Sequence, residues 1–315
     1  MFGGTTSETR PWLMIEASSE GMLRFGTAMP AERPRLGNIK QIDIRTLPTF
    51  TDALQQYERE SGIALRGLTC AMAVGGAVSG ETLSPARSRW TITRTGLAAV
   101  FGKPVTILND VAARAWGVKS GTATTDTLRG VGAPSLGRHG RYIMLMVEEG
   151  VGAAVIDVDR DGLVHILETE GGHMDFPPAS EREEKLARSV KAISPHVSWE
   201  MMLMLERTAP AWANCPDITD SERPRILANI LGRFAVNLMH AYGAWQGVLV
   251  TGSRASRLLD AGSRSAFEAA FNDRRNFSRL VIGSPVWRVE QREAVLTGAL
   301  ECLAQNFASP LRHAA

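Results

Sequence analysis

No apolar run in this sequence approaches the roughly 20 residues that a bilayer-crossing helix needs, which argues against a membrane span. Cysteine is scarce. Cys70, Cys215 and Cys302 are odd in number, far apart and without Cys-x-x-Cys spacing or nearby histidines, which excludes a disulfide framework and a structural zinc site. They read as core or near-surface thiols. Excess charge is missing as well: 35 Lys and Arg against 33 Asp and Glu leave +2, too little to imply a nucleic-acid partner. The Arg-rich stretch 254–279 is interleaved with Asp260, Glu268 and Asp273 and reads as a solvated helical face. Residues 1–10 are polar, lack a secretory apolar core and read as a disordered tail, so a cytoplasmic location is expected.

What remains is an ordinary globular composition, 44% apolar and 22% charged, in a chain of 315 residues that can hold two cores. Trp12-Leu13-Met14-Ile15 and Met22-Leu23-Arg24-Phe25-Gly26 read as a hairpin around a turn at 16–21. Helical spacing covers 44–61, a buried strand covers 71–78, and a short helix covers 95–101. Residues 120–140 are rich in Gly, Thr, Ser and Pro and read as a surface loop or lobe boundary. Strands at 142–147, 153–158 and 163–167 then repeat the hairpin-led opening, which suggests an internal duplication with a ligand in the cleft between two lobes. Helices are expected at 181–190, 198–206, 221–242, 255–272 and 294–307, with a strand at 247–252 and an edge strand at 285–289.

Three stretches carry candidate chemistry. Val105-Thr106-Ile107-Leu108-Asn109-Asp110 is a β-branched run that places a carboxamide and a carboxylate before an Ala-rich helix. Asp110 either caps that helix or acts as a general base on a substrate hydroxyl, with Asn109 holding a neighbouring hydroxyl. Glu170-Gly171-Gly172-His173-Met174-Asp175-Phe176 sets a Gly-Gly pair between an acid and an imidazole, either a turn aiming both at a polar ligand or a plain loop. In His196-Val197-Ser198-Trp199-Glu200, Ser198 suits an N-cap and Glu200 the first helical turn, a role that needs no ligand.

In order and spacing these three stretches resemble the bacterial glucokinases of the hexokinase, sugar kinase and actin superfamily. The likeness continues through Gly232-Arg233-Phe234-Ala235-Val236-Asn237-Leu238, Gly247-Val248-Leu249-Val250-Thr251-Gly252 and Leu296-Thr297-Gly298-Ala299. The resemblance implies an α/β, two-lobed, actin-like (ribonuclease H-like) fold, with a small domain at 11–117, a large one at 118–292, and the C-terminal helix, 293–315, packing on the small domain. It implies a hexose site of Asn109, Asp110, Glu170, His173 and Glu200, with Asp110 taking the proton of the 6-hydroxyl as it attacks the γ-phosphorus of ATP. Such side chains suit a ring of hydroxyls that both donate and accept. No dedicated protein metal site is expected, and a homodimer is the expected assembly.

The phosphate side departs from the family pattern. Where members have Asp-x-Gly-Gly-Thr-Asn, an acid that helps position Mg²⁺ followed by a phosphate turn, this chain has Glu16-Ala17-Ser18-Ser19-Glu20-Gly21. The second phosphate turn, Gly-Thr-Gly-Leu-Gly in the family, is Glu148-Glu149-Gly150-Val151-Gly152, and the adenosine-side Gly-Gly is Gly252-Ser253. The family's glycine turn after the Glu200 position is Met204-Leu205-Glu206-Arg207, and its Thr-Asn-His before a tryptophan is Ala86-Arg87-Ser88 before Arg89-Trp90. A carboxylate about 5 Å from a phosphate charge costs roughly 3 kcal/mol at an effective dielectric near 20. Glu20, Glu148 and Glu149 are therefore expected to oppose phosphate, leaving Gly150, Gly152 and Gly252 as a reduced cofactor cradle for the ATP and Mg²⁺ the family implies. The expectation is a hexose-binding protein with weak or lost 6-phosphorylation, a pseudokinase or sugar sensor. An active ATP-dependent glucokinase and a non-catalytic interaction scaffold are the alternatives.

Overall fold

A computed structural model describes residues 10–17, 21–31, 33–85, 90–207, 210–260, 262–272 and 278–308. In chain order the first elements are β1 (Trp12–Ala17), β2 (Met22–Ala28), β3 (Ile39–Asp43), α1 (Phe50–Ser61), β4 (Cys70–Val74), the short pair β5 (Thr82–Leu83) and β6 (Ile92–Thr93), α2 (Arg94–Phe101), β7 (Thr106–Asn109) and α3 (Asp110–Val118). Next come β8 (Thr124–Arg129), β9 (Gly140–Val147), β10 (Val151–Val158), β11 (Val164–Thr169), α4 (Glu181–Lys191), α5 (Trp199–Leu203), α6 (Pro210–Ala213) and α7 (Arg223–Tyr242). The chain ends with β12 (Gly247–Thr251), α8 (Ser253–Leu258), α9 (Arg264–Ala269), α10 (Ser278–Gly283), β13 (Val286–Glu290) and α11 (Ala294–Ala308).

Two compact units result, 1–123 joined by 291–315, and 124–290. In the first, the sheet order is β3-β2-β1-β4-β7. β1 and β2 are antiparallel, as are β2 and β3, whereas β1, β4 and β7 run parallel. Its core includes Leu13, Ile15, Phe25, Leu54, Tyr57, Met72 and Phe101. In the second the order is β11-β10-β9-β12-β13-β8, again an antiparallel meander followed by two strands parallel to its first. Trp199, Phe234, Phe267 and Phe271 are fully buried in its core. The recurrence of one strand order in both units is the topological counterpart of the duplication suggested by the hairpin-led repeats.

Several elements differ from the sequence expectation for identifiable reasons. The 44–61 helix starts only at Phe50, because Pro48 holds Leu47 extended and Thr49 with Asp52 forms a capping box. The 255–272 helix is broken by an Asx turn in which the Asp260 carboxylate accepts from the Gly262 and Ser263 N–H groups and the Ser263 hydroxyl. Those bonds hold its carboxyl below the usual range. β8 lies in what reads as a loop. It pairs antiparallel with β13, which is therefore an interior strand instead of an edge. β3 is a further strand absent from the sequence reading; among its residues only Ile42 is buried. Among the described residues no helix is long and apolar enough to cross a membrane.

Candidate functional site

In the first unit β7 ends at Asn109, whose extended backbone makes it the N-cap of α3. Its side-chain oxygen accepts from the N–H of Val111 at 2.8 Å and of Ala112 at 3.4 Å, while its amide nitrogen donates to the Gly76 carbonyl at 2.9 Å. Capping thus falls to Asn109, and Asp110 stands as the first helical residue. One Asp110 carboxylate oxygen accepts from the Val111 N–H at 2.9 Å, where the helix dipole favours its negative charge. α3 is held from behind by α11: a Cβ on Gly298 would overlap the Ala113 carbonyl oxygen, and one on Gly117 would lie 2.8 Å from that of Ala294.

Glu16 stands on β1, opposite Arg24 of β2, and so belongs to the strand instead of the turn. Its carboxylate takes the Arg24 guanidinium at 2.8 Å, and Arg24 also pairs with Glu293. Burial pushes the Glu16 carboxyl above its ordinary value, with Arg24 and Arg114 pulling it down and the Asp110 charge adding to the rise. Sequence reasoning had no signal for Arg24, because the pairing appears only once the register is known. Glu20, with Ser18 and Ser19, and the 86–89 segment lie outside the described residues.

In the second unit the other two stretches lock together. Gly171–His173 is one 3-10 turn between β11 and the following loop. Neither glycine has a positive φ; a Cβ on Gly172 would overlap the Val151 carbonyl oxygen, and one on Gly171 would sit 3.0 Å from Leu238. The Gly-Gly pair is there for close packing, not for a left-handed turn. Phe176 donates its N–H to Val197 O at 2.9 Å, Trp199 donates to Met174 O at 3.2 Å, and Asp175 bridges Ser198. Ser198 caps α5 through the Met201 N–H, which puts Glu200 in the first turn. Glu170 and His173 are about 60% exposed and 3.8 Å apart. Phe176 and Trp199 meet edge to face, with Arg233 over both rings and bonded to buried Glu183 at 2.6 Å.

Glu200 also reaches the turn between β9 and β10. Its Oε2 accepts from the Val151 N–H at 2.8 Å, and a Cβ on Gly150 would lie 3.0 Å from the same oxygen. The Glu148 N–H of that turn is used by Gly150 O at 3.0 Å. Gly152 is inside β10, paired with Met146. Gly252 has φ +102 and packs so closely on the Val147 carbonyl that no side chain fits. Arg254, expected on a solvated face, is instead 7% exposed, bonded through Nε to Leu203 O at 3.2 Å and through Nη1 to Glu206 at 2.8 Å. The predicted site residues therefore form two groups: Asn109 and Asp110 in the first unit, and Glu170, His173 and Glu200 in the second.

The glucokinase family model matches residues 22–204 and 217–306. A glucokinase of Stenotrophomonas maltophilia (strain R551-3) is 27% identical over 290 residues, covering 83% of this chain and 85% of that protein. One from Xylella fastidiosa (strain 9a5c) is 26% identical over 309 residues, covering 88% and 90%. Among solved structures, a glucokinase from an Antarctic psychrotroph superposes with a TM-score of 0.73 at 20% identity, over 93% of this chain and 98% of the other. The Balamuthia mandrillaris glucokinase in complex with glucose gives 0.72 at 17% identity, over 94% of each chain.

Proposed function

The chain belongs to the glucokinase family, with the two-lobed actin-like fold of its structural neighbours, and we propose that it binds glucose or a close hexose while its ATP-dependent 6-phosphorylation is weak or lost. Asn109, Asp110, Glu170, His173 and Glu200 are the proposed sugar ligands. Their carboxylates, carboxamide and imidazole match hydroxyls that donate and accept together. The hexose part of the reading is supported by membership of a sugar-kinase family and by all five side-chain types being present in collinear order.

Family members use ATP and Mg²⁺, and this chain's residues do not fit that group well. The single observation that carries this part is the Glu16–Arg24 ion pair at 2.8 Å. By the family resemblance Glu16 matches the acid that positions Mg²⁺, and here it already holds an intramolecular cation, which Glu293 helps to fix. At the second turn Glu148 and Glu149 add negative charge, and the Val151 N–H is already donated to Glu200.

Calorimetric titration with glucose and with Mg-ATP, each alone and each with the other present, tests the reading. Heat from glucose and none from nucleotide is the expected result. Heat from both, with sugar-dependent ATP consumption, replaces it by an active glucokinase in which Asp110 is the base, a contribution of about 10²–10⁴ in rate. Heat from neither leaves a scaffold and overturns the hexose reading.

A further inference from the structure

His196 sits in a stretch singled out by the sequence, yet the sugar-binding reading gives it no task. Its Nε2 lies 2.9 Å from the carbonyl oxygen of His173, and its Nδ1 lies 2.9 Å from Oδ1 of Asp175. The His173 carbonyl ends a single 3-10 turn, where a carbonyl has no partner within the turn. The imidazole supplies one from outside. Two main-chain bonds, Phe176 N–H to Val197 O and Trp199 N–H to Met174 O, continue the same zipper toward Glu200.

The groups this zipper orients are loosely held by themselves. Glu170 makes no capping bond to its own turn, and it and His173 are mostly exposed. Asp175 is 91% exposed, so its contact with His196 adds little to folding. A contact that weak in stability and that specific in direction is suited to setting geometry.

We infer that His196, oriented by Asp175, is a positioning residue that fixes the Gly171–His173 turn and so the attitude of Glu170 and His173 toward a hexose. This rests on the hexose reading above. Both partners accept, so a neutral ring donates to one of them at a time and a protonated ring to both; the Nε2 contact sets the turn, and the Nδ1 contact sets the ring.

The test exploits two amides that mimic different ring nitrogens. Gln at 196 can place an N–H near the Nε2 position and reach His173 O, whereas Asn reaches only the Nδ1 position. Glucose affinity of the full chain is measured by calorimetry for His196→Ala, His196→Asn and His196→Gln, with amide exchange of His173 and Met174 followed in parallel. Ala and Asn are expected to weaken glucose about tenfold, as loss of an outer partner does at the low end for metal-ligating side chains. They should also speed exchange of the turn amides, with Gln staying near wild type in both readouts and Tm nearly unchanged throughout. Equal affinity for Asn and Gln, or wild-type affinity for Ala, overturns the proposal. If the wild-type chain gives no glucose heat, the hexose reading falls. The exchange data then decide the clamp alone, sustained by fast exchange in Ala and Asn but not Gln and overturned by unchanged exchange in all three.

Discussion

At Glu16 two effects oppose each other, and burial wins over the neighbouring guanidinium groups, leaving the carboxyl raised above its ordinary value. The folded state then keeps a proton that the unfolded chain has released just above pH 4.5. This contribution to stability is present below that pH and is lost as the pH climbs through the folded-state value. Glu16→Gln removes the titration. Its Tm is expected to fall less than the wild type's from pH 4.5 upward, and at pH 7 to equal or exceed it; a lower Tm at pH 7 shows that the Arg24 pair outweighs burial. The residue scale is also where the sequence was least decisive. Asn109 and Asp110 are adjacent and both cap helices well, so only the backbone, extended at Asn109, settles which one does. Gly171 and Gly172 invited a turn argument, but the constraint on them is the Val151 carbonyl and Leu238, atoms far away in sequence.

Among the elements, α3 carries Asn109 and Asp110 at its head and is positioned by α11 through two glycines. Gly298→Ala would drive a methyl into the Ala113 carbonyl, so α11 must move off α3. A loss of about 3 kcal/mol, the upper part of the overpacking range, is expected in chemical denaturation. Gly283→Ala, with open space around it, is the matched control and should change little. If the two variants have the same midpoint, the close packing of α11 on α3 is refuted. Elements with a buried apolar run, such as β4, β9, β10 and β12, were legible because all or nearly all of their residues are covered. β8 was not, since Thr124-Thr125-Asp126-Thr127-Leu128-Arg129 buries only Leu128 and is otherwise as polar as a loop. β3 failed the same way on the outer edge of its sheet.

For the molecule as a whole, the repeated strand order was foreshadowed by two hairpin-led segments, while the candidate site residues came from the family resemblance and not from composition or periodicity. A ligand that binds only the folded chain stabilises it by RT ln(1 + [L]/Kd), about 2.7 kcal/mol at a hundredfold excess over Kd. Glucose at millimolar concentration is therefore expected to raise Tm by several degrees, and Asp110→Ala or Glu170→Ala to abolish the rise. Identical melting with and without glucose refutes the hexose reading. The three free cysteines, Cys70, Cys215 and Cys302, are all buried, so none should interfere with such measurements by cross-linking.

The first unit is discontinuous: its sheet begins at Trp12, yet the helix that covers β1 and β4 and braces α3 is Ala294–Ala308. On the ribosome the order of emergence is therefore the reverse of the order of completion. Residues 124–290 leave the exit tunnel as an unbroken segment with their own core, whereas the sheet of the first unit stays partly uncovered until residues 294–308 follow. A nascent chain stalled near Glu290 would carry that sheet without its helix.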